Sequence, residues 1–374
     1  MIGSTGSIGR QTLSVVAAHP DRFKVVAMVA GGDEAALMRQ IAEFKPAYAG
    51  LAKGSFNCDY RQVDGTKCFY GEDNCLKMLE ECGADAVMVA CGGFDGLKYS
   101  LKTAELKADL ALANKETLVC GGDLVMPAVG NIMPVDSEHS AIWQCLNYDR
   151  GAKLKNLIIT ASGGPFRDRD FESLKGVTPE QALAHPTWKM GKKITVDSAT
   201  LLNKGYEVIE AHHLYGAPYS AIKTVIQPQS IIHSMVEFDD GAVVAQMSNP
   251  TMELPIQLAL TYPERLPVPS LQPMDFSKAL SLEFLPLERK KYPLYDLALR
   301  CGEQGGVLPT ALNAASEVAV NAFLGKKAAF TDIYRIADKV VQKTANAEAD
   351  CYERLAETDL KSRVAAEKII AEGR

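Results

Sequence analysis

The sequence lacks the features of a membrane protein and of a nucleic-acid-binding protein. No run approaches the roughly 18 apolar residues that a membrane-spanning helix needs, and the amino terminus has no signal-peptide core. Lys and Arg number 40 against 46 Asp and Glu, which gives a net charge of -6, and the basic residues form no block. We therefore expect neither nucleic acid nor a membrane as a partner.

The cysteines lack any pairing pattern. Their number, nine, is odd, and no two of them form a C-x-x-C pair. The cysteines therefore indicate neither a disulfide framework nor a thiolate zinc site, and a reducing cytoplasm fits best. The cysteines stand at positions 58, 68, 75, 82, 91, 120, 145, 301 and 351.

What the sequence does contain is a pattern of short apolar strands alternating with helical segments. Val25 to Val29, Ala86 to Ala90 and Leu110 to Ala113 are the clearest strands, and the alternation predicts an α/β fold with a doubly wound, Rossmann-like parallel sheet. GSTGSIG, Gly3 to Gly9, precedes the helical pattern of Arg10 to Ala18. Glycines before a helix let the backbone approach a pyrophosphate, so we expect a dinucleotide. The alternative is a plain glycine-rich turn, because the spacing is GxxGxxG rather than GxGxxG.

Polar groups follow three of the predicted strands or turns. They are Asn114-Lys115-Glu116, Asp136-Ser137-Glu138 and Ser162-Gly163-Gly164. Ligand sites of open parallel sheets gather at the carboxyl ends of strands, and two carboxylates as close as Asp136 and Glu138 can share one cation. The alternatives are a capping asparagine, a surface lysine and an ordinary glycine loop.

A further polar group lies on a predicted helix. Ser198 to Tyr215 has helical periodicity with Asp197 or Ser198 as its N-cap, and Asn203, Lys204 and Glu207 fall on one face at spacings of three and four. An amide, an ammonium and a carboxylate suit an anionic substrate held beside a metal, whereas the alternative is a solvated face with ordinary ion pairs. The predicted buried stripe is Leu201, Leu202, Val208 and Ile209.

His185 precedes a proline and a loop with Trp188 and Met190. Since a reactive intermediate must be kept from bulk water, this loop is a candidate lid. We expect His185 to orient substrate or move protons rather than bind metal. The alternative is an apolar surface loop packed on a neighbouring element.

Six strings, in this order, resemble the 1-deoxy-D-xylulose 5-phosphate reductoisomerase family: GSTGSIG, LANKETLV, PVDSEHSAIWQ, ASGGPFR, HPTWKMGKKITVDSATLLNKGYEVIEA and QPQSIIHSMVEF. The resemblance runs from Ile2 to the region of Cys351. It implies an enzyme that uses NADPH and a divalent metal to rearrange 1-deoxy-D-xylulose 5-phosphate and to reduce the product to 2-C-methyl-D-erythritol 4-phosphate. It also implies a homodimer.

The resemblance assigns roles to individual residues. The metal ligands implied are Asp136, Glu138 and Glu207. Their oxygen donors favour Mg²⁺ or Mn²⁺ over Zn²⁺. Catalytic roles fall to Lys115, Glu138 and His185. The implied substrate-binding residues are Lys115, Ser137, Glu138, Ser162, His185, Ser198, Asn203, Lys204 and Glu207, with Ser162, Ser198, Asn203 and Lys204 around the phosphate. The implied NADPH contacts are Thr5, Gly6, Ser7, Ile8, Gly31, Asn114, Glu116 and Gly191.

The chain departs from the family pattern at three places. Only Met1 and Ile2 precede Gly3, where the family has a complete strand, so we expect unpaired edges on the neighbouring strands. Asp33 stands where the family often has a basic or amide residue, which weakens the expected preference for NADPH over NADH. The run Pro250 to Glu253 replaces a common Pro-Asp-Met-Arg run, which puts the local loop packing in question.

Composition suggests four segments. We expect a dinucleotide-binding domain at 1–136, a catalytic domain with the lid at 137–262, a proline-rich linker at 263–290 and a helical domain at 291–374. Two other classes of function remain open: an ordinary nicotinamide dehydrogenase, whose activity would survive chelation, and a non-catalytic nucleotide-binding protein, which would bind cofactor without turnover.

Overall fold

The structure, a computed structural model, describes residues 1–54, 60–148, 151–188 and 190–373, so Cys58 lies outside the described residues. The chain forms two compact units. The first unit comprises Met1–Asn114, Pro127–Ser140 and Thr251–Gln272, and the second comprises Lys115–Met126, Ala141–Pro250 and Pro273–Arg374. The four-segment division of the sequence stays a proposal.

The secondary structure alternates strands and helices and then becomes helical towards the carboxyl terminus. The strands are β1 Ala27–Ala30, β2 Tyr48–Leu51, β3 Tyr60–Val63, β4 Thr66–Tyr70, β5 Ala86–Val89, β6 Asp109–Leu112, β7 Ile132–Pro134, β8 Leu154–Ala161, β9 Ile222–Ile226, β10 Ile232–Phe238, β11 Val243–Met247 and β12 Leu285–Pro286. The helices are α1 Ser7–Ala18, α2 Glu34–Phe44, α3 Glu72–Glu81, α4 Gly96–Glu105, α5 Lys115–Ala128, α6 Ser137–Leu146, α7 Pro179–Ala182, α8 Lys192–Ala199, α9 Leu202–Tyr215, α10 Glu253–Thr261, α11 Pro293–Gln304, α12 Leu308–Leu324, α13 Asp332–Lys343 and α14 Tyr352–Glu372. Short 3-10 helices occur at Phe171–Leu174, Tyr219–Ala221 and Arg289–Lys291.

The first unit is built on parallel strands. Its strand orders are β1-β2-β4-β3 and β5-β6-β7, and the β3–β4 pair is antiparallel whereas the other pairs are parallel. The three predicted strands correspond to β1, β5 and β6, which confirms the α/β prediction. Apolar residues of α1, β5, β6 and α10 pack in one core, with Val15, Met88, Ala111 and Ile256 buried.

Ile2 pairs with the strands on both sides of it. It forms parallel bridges with Val29 of β1 and Val89 of β5, and it is 1% exposed. Its N–H donates to the Met88 carbonyl (2.8 Å), and its carbonyl accepts from the Ala90 N–H (2.9 Å). On the other side, the Val29 N–H donates to the Met1 carbonyl (2.8 Å), and the Gly3 N–H donates to the Val29 carbonyl (2.8 Å). The expectation of unpaired edges is therefore wrong at the carboxyl ends of β1 and β5, because the short segment around Ile2 bonds to both. The strand order reverses at this point, which is where open α/β sheets bind nucleotides.

The second unit combines a mixed sheet with helices. The strand order is β11-β10-β8-β9-β12, with β8 and β9 parallel and the other pairs antiparallel. Helices α12, α13 and α14 pack on one another, which confirms the predicted carboxyl-terminal bundle. None of the helices in the described residues combines the length and apolar character needed to cross a membrane.

The predicted single helix from Ser198 to Tyr215 is wrong. Asp197 and Ser198 lie in the last turn of α8, and α9 starts after Leu201, whose φ of 55° is left-handed and breaks the helix. The Thr200 hydroxyl donates to the Val196 carbonyl (3.2 Å) and accepts from the Leu202 N–H (3.4 Å). These bonds join the end of one helix to the start of the next. The predicted stripe of Leu201, Leu202, Val208 and Ile209 is buried.

Candidate active site

The backbone of the glycine-rich loop in the first unit can approach a phosphate closely. A Cβ on Gly3 (φ +84°) would lie 2.7 Å from the Ala90 carbonyl, and a Cβ on Gly9 would lie 2.2 Å from the Gly3 carbonyl. Helix α1 starts at Ser7 with no side-chain cap and no acidic residue in its first turn. Its first N–H groups and dipole therefore face a site suited to an anion. Thr5, Gly6, Ser7 and Ile8 all lie in this loop or first turn.

Asn114 connects the loops that follow β5 and β6 by hydrogen bonds. Its side-chain amide donates to the Cys91 carbonyl (2.9 Å) and to the Gly93 carbonyl (3.0 Å). A Cβ on Gly96 would lie 2.3 Å from Asn114 Oδ1, so only glycine fits there. Asn114 is thus a buried structural link of the first unit at the end of a parallel strand, where nucleotide sites form.

The Gly31-Gly32-Asp33 turn follows β1. Asp33 is the N-cap of α2, and its Oδ1 accepts from the Ala36 N–H (3.0 Å). The carboxylate therefore has a structural partner in its own helix. Gly31 has open space where a side chain would stand.

The run Pro250 to Glu253 leads into α10, and nearby hydrogen bonds hold its last residue. The Glu253 N–H donates to Thr251 Oγ1 (3.2 Å), and the Glu253 carboxylate accepts from the Ser270 hydroxyl.

Asp136, Ser137 and Glu138 follow β7 in the first unit. Asp136 precedes α6, and Ser137 and Glu138 are its first two residues. The Ser137 hydroxyl donates to Glu138 Oε2 (2.5 Å), which orients that carboxylate. Two carboxylates and a hydroxyl offer only hard oxygen donors, the ligands that Mg²⁺ and Mn²⁺ prefer. These residues fit a divalent cation.

A buried charged cluster in the second unit is centred on Glu207, which is 0% exposed. Its Oε1 accepts from Lys115 Nζ (3.2 Å) and Asn203 Nδ2 (2.6 Å), and its Oε2 accepts from Lys204 Nζ. Lys204 is 3% and Lys115 8% exposed, so the alternative of a solvated helix face is wrong for these groups. The cluster therefore fixes two ammonium groups and a carboxylate in a buried place, where such groups act on a charged ligand more strongly than at the surface.

His185 and Ser162 form a second polar pair of this unit. His185 Nδ1 accepts from the backbone N–H groups of Thr187 (3.1 Å) and Trp188 (2.9 Å). The proton of the neutral ring is therefore on Nε2, which donates to Ser162 Oγ (3.0 Å). Burial lowers the pKa of His185, so the neutral ring is favoured.

Two loops meet beside this pair. A Cβ on Gly164 (φ +67°) would lie 2.8 Å from the Ser198 carbonyl. The Ser162-Gly163-Gly164 turn therefore packs on the last turn of α8, which carries Ser198. The structure brings these two predicted phosphate-binding segments together.

The candidate lid leads directly into α8. The Trp188 ring lies 6.2 Å from the His233 ring with an edge-on arrangement, Met190 is partly buried, and Gly191 is the N-cap of α8. The alternative of an apolar loop packed on a neighbour describes Trp188 in this structure. Lys189 lies outside the described residues.

Lys193 is a partly buried cation that the sequence did not reveal. Its Nζ donates to Asp197 Oδ2 (2.5 Å). Burial lowers the pKa of Lys193, but the carboxylates of Asp197, Glu116 and Glu317 outweigh burial and raise it. Burial also raises the pKa of Glu116, against the opposing charge of Lys193. The i,i+4 spacing of Lys193 and Asp197 was a usable signal.

Sequence and structure comparisons place the chain among proteins of known activity. Family models described as 1-deoxy-D-xylulose 5-phosphate reductoisomerase match residues 1–122, its C-terminal domain residues 132–215, and the DXP reductoisomerase C-terminal domain residues 247–365. A 1-deoxy-D-xylulose 5-phosphate reductoisomerase of Geobacillus kaustophilus is 44% identical over 99% of both chains. One of Desulfitobacterium hafniense is 45% identical over 99% of this chain and 98% of that one.

Solved structures agree with these relatives. A reductoisomerase of Zymomonas mobilis in complex with NADPH is similar with a TM-score of 0.89 and 36% identity, covering 99% of this chain and 97% of that one. A DOX-P reductoisomerase in complex with NADPH, fosmidomycin and magnesium has a TM-score of 0.91 and 34% identity, with the same coverage.

Proposed function

The chain belongs to the 1-deoxy-D-xylulose 5-phosphate reductoisomerase family, and from that premise we propose which of its residues carry out the reaction. It is an NADPH- and divalent-metal-dependent enzyme that rearranges 1-deoxy-D-xylulose 5-phosphate and reduces the branched aldehyde to 2-C-methyl-D-erythritol 4-phosphate, in non-mevalonate isoprenoid biosynthesis. The observation that carries the residue assignments is the buried Glu207 cluster.

When bound, NADPH supplies the hydride for the aldehyde, and the divalent ion polarises the ketone and stabilises negative charge during the rearrangement. In our proposal the glycine loop and the first turn of α1 hold the cofactor pyrophosphate. The proposed NADPH contacts are Thr5, Gly6, Ser7, Ile8, Gly31, Asn114, Glu116 and Gly191. The uncapped start of α1 and the close glycine contacts support the first four.

We propose Asp136, Glu138 and Glu207 as the metal ligands. All three offer carboxylate oxygens, which suits Mg²⁺ or Mn²⁺. The Ser137 hydroxyl fixes one oxygen of Glu138, so this side chain is oriented before an ion binds. Lys115 and Lys204 hold Glu207 in one position in the same way.

For the substrate, we propose that Ser162, Ser198, Asn203 and Lys204 surround the phosphate. The buried ammonium of Lys204 supplies charge, and the paired loops of Ser162 and Ser198 supply hydroxyl donors. Lys115, Ser137, His185, Glu138 and Glu207 complete the proposed substrate contacts.

We propose that the residues that bind or transfer protons are His185, Lys115 and Glu138. His185 Nε2–H donates to the hydroxyl of Ser162, one of the proposed phosphate-binding residues, and Nδ1 accepts from the backbone N–H groups of Thr187 and Trp188. A neutral imidazole with a fixed tautomer can donate one hydrogen bond without adding charge. We propose that the loop with Trp188 and Met190 acts as a lid.

The direct test is NADPH oxidation with 1-deoxy-D-xylulose 5-phosphate, with and without Mg²⁺. We expect turnover that EDTA removes and Mg²⁺ or Mn²⁺ restores. Activity that survives complete chelation would point to an ordinary dehydrogenase, and NADPH binding without turnover to a nucleotide-binding protein. Family membership favours neither of these.

The residue assignments are tested with a matched pair of variants. Asp136→Asn should abolish metal-dependent turnover and leave NADPH binding nearly intact, because one ligand carboxylate becomes a neutral amide. Asp21→Asn, at an exposed carboxylate of the same unit, is the control and should keep full turnover. Removing one preorganised charge-stabilising group costs about a hundredfold or more in rate.

We also propose a cytoplasmic homodimer. The exposed edge strand β11, with Val243 51% and Met247 37% exposed, supports self-association through this sheet. Light scattering on the purified protein tests the dimer, and a monomer at micromolar concentration would contradict it. Free thiols at every described cysteine agree with a reducing compartment.

A further inference from the structure

The turn that follows β1 offers no positive charge to a nucleotide. In dinucleotide-binding sheets the residue after this strand meets the adenosine ribose, and a nearby basic side chain accommodates a 2′-phosphate. Here the turn is Gly31-Gly32-Asp33, with two residues that have no side chain and one that is acidic. A cation for a 2′-phosphate must therefore come from another element.

Lys53 lies beside this turn. Strands β1 and β2 pair in parallel up to Ala30 and Leu51, and the pairing continues beyond them. The Lys53 N–H donates to the Gly31 carbonyl (2.7 Å), and a Cβ on Gly32 would lie 3.8 Å from the Lys53 Cβ. The lysine side chain therefore starts from the same edge of the sheet as the two glycines.

Among the residues that the structure describes, few atoms lie near the two glycines. A Cβ on Gly31 would meet none of these atoms within 4 Å, and a Cβ on Gly32 would meet only Lys53. Asp33 accepts a hydrogen bond from the Ala36 N–H, which ties its carboxylate to the start of α2. The described residues thus leave the turn uncovered next to the two glycines, and the acidic neighbour already has a partner.

Several cations of the first unit are paired with carboxylates, and Lys53 is not among them. Arg61, Lys67 and Lys98 each form an ion pair with a glutamate. Within residues 1–54, 60–148, 151–188 and 190–373, Lys53 forms no ion pair, and it is exposed.

We propose that Lys53 binds the adenosine 2′-phosphate of NADPH and sets the preference of this enzyme for NADPH over NADH. Lys53 replaces, from the end of β2, the basic residue that the turn after β1 lacks. The ammonium is flexible enough to reach a phosphate as a point charge. This inference rests on the proposed dinucleotide site.

Isothermal titration calorimetry with NADP⁺ and NAD⁺ tests the proposal on the full chain. Lys53→Met removes the charge and keeps most of the apolar stem, and it should weaken NADP⁺ binding by about tenfold, since a hydrogen bond to a charged group contributes on that scale. NAD⁺ binding should stay unchanged because NAD⁺ has no 2′-phosphate. Lys53→Arg keeps the charge and should retain most of the NADP⁺ affinity.

Lys24→Met is the matched control. Lys24 is also exposed and lies before β1, at the opposite end of that strand, so its loss should leave both affinities unchanged. Equal NADP⁺ affinity in the wild type and Lys53→Met overturns the proposal, as does an equal loss for NAD⁺. If the wild-type protein binds neither nucleotide, the proposed cofactor site itself is wrong, which is a different result.

Discussion

We predict that the hydrogen-bonded cluster around Glu207 contributes strongly to the stability of the fold. Glu207→Ala removes the carboxylate that accepts from Lys115, Asn203 and Lys204. The two ammonium groups are 8% and 3% exposed, so water does not replace the lost partner. Removing one partner of a buried ion pair costs about 3–5 kcal/mol, because the remaining charge loses a favourable interaction where water does not replace it.

The structure supplies a matched control at the surface. Glu237 also accepts from a lysine and an asparagine, namely Lys155 (2.7 Å) and Asn156 (2.7 Å). Its side chain is 22% exposed and that of Lys155 is 50% exposed, whereas that of Glu207 is 1% exposed. Since solvent screens exposed pairs, Glu237→Ala should change stability little.

Thermal unfolding of the two variants without metal or substrate compares these costs. At roughly 2–4 °C per kcal/mol for a unit of this size, Glu207→Ala should lower the Tm on the order of 10 °C, and Glu237→Ala far less. Glu207→Gln should fall between them, because an amide oxygen accepts a hydrogen bond and does not neutralise charge. Equal shifts for both alanine variants would refute the argument that burial decides the cost.

Three further predictions concern the nucleotide turn, the glycine loop and His185. Asp33→Asn keeps an N-cap and removes a charge, so the NADP⁺ to NAD⁺ affinity ratio should rise roughly two- to fivefold; an unchanged ratio would show that Asp33 points away from the ribose. Gly9→Ala places a methyl group 2.2 Å from a loop carbonyl and should weaken NADPH binding at least about tenfold by fluorescence titration; unchanged affinity would contradict the loop assignment. Burial lowers the pKa of His185, so the neutral ring stabilises the fold above the ordinary pKa of about 6.5, and this stability is lost as the pH falls through the lower folded pKa. Trp188 fluorescence, measured in a Trp143→Phe background, should change over that range and should not change in His185→Asn.

Local patterns predicted the parts of the fold that depend on near neighbours. Alternating apolar runs located β1, β5 and β6 to within two or three residues. The spacing of Asn203, Lys204 and Glu207 placed them on one helix face, and they contact one another there. Periodicity carries this information because side-chain direction follows from backbone geometry.

The sequence did not reveal contacts that depend on distant segments. Lys115 and Glu207 meet across 92 positions of sequence, and only the resemblance to a family related them. The break at Leu201 was also missed. A leucine gives no sign of a left-handed backbone, and the Thr200 bonds that join α8 to α9 form only once both helices exist.

The chemical types of their partners do not distinguish Glu207 from Glu237. Each of the two accepts hydrogen bonds from a lysine and an asparagine, so their partners are similar. The difference is burial, which follows from α9 packing on α11 and on β8 and β9. In a buried site the same contacts fix charges in place before a ligand arrives, and that fixed orientation is what an enzyme uses to stabilise a charged transition state. The sequence shows which residues can form such a cluster, whereas the tertiary packing decides which cluster is buried from solvent.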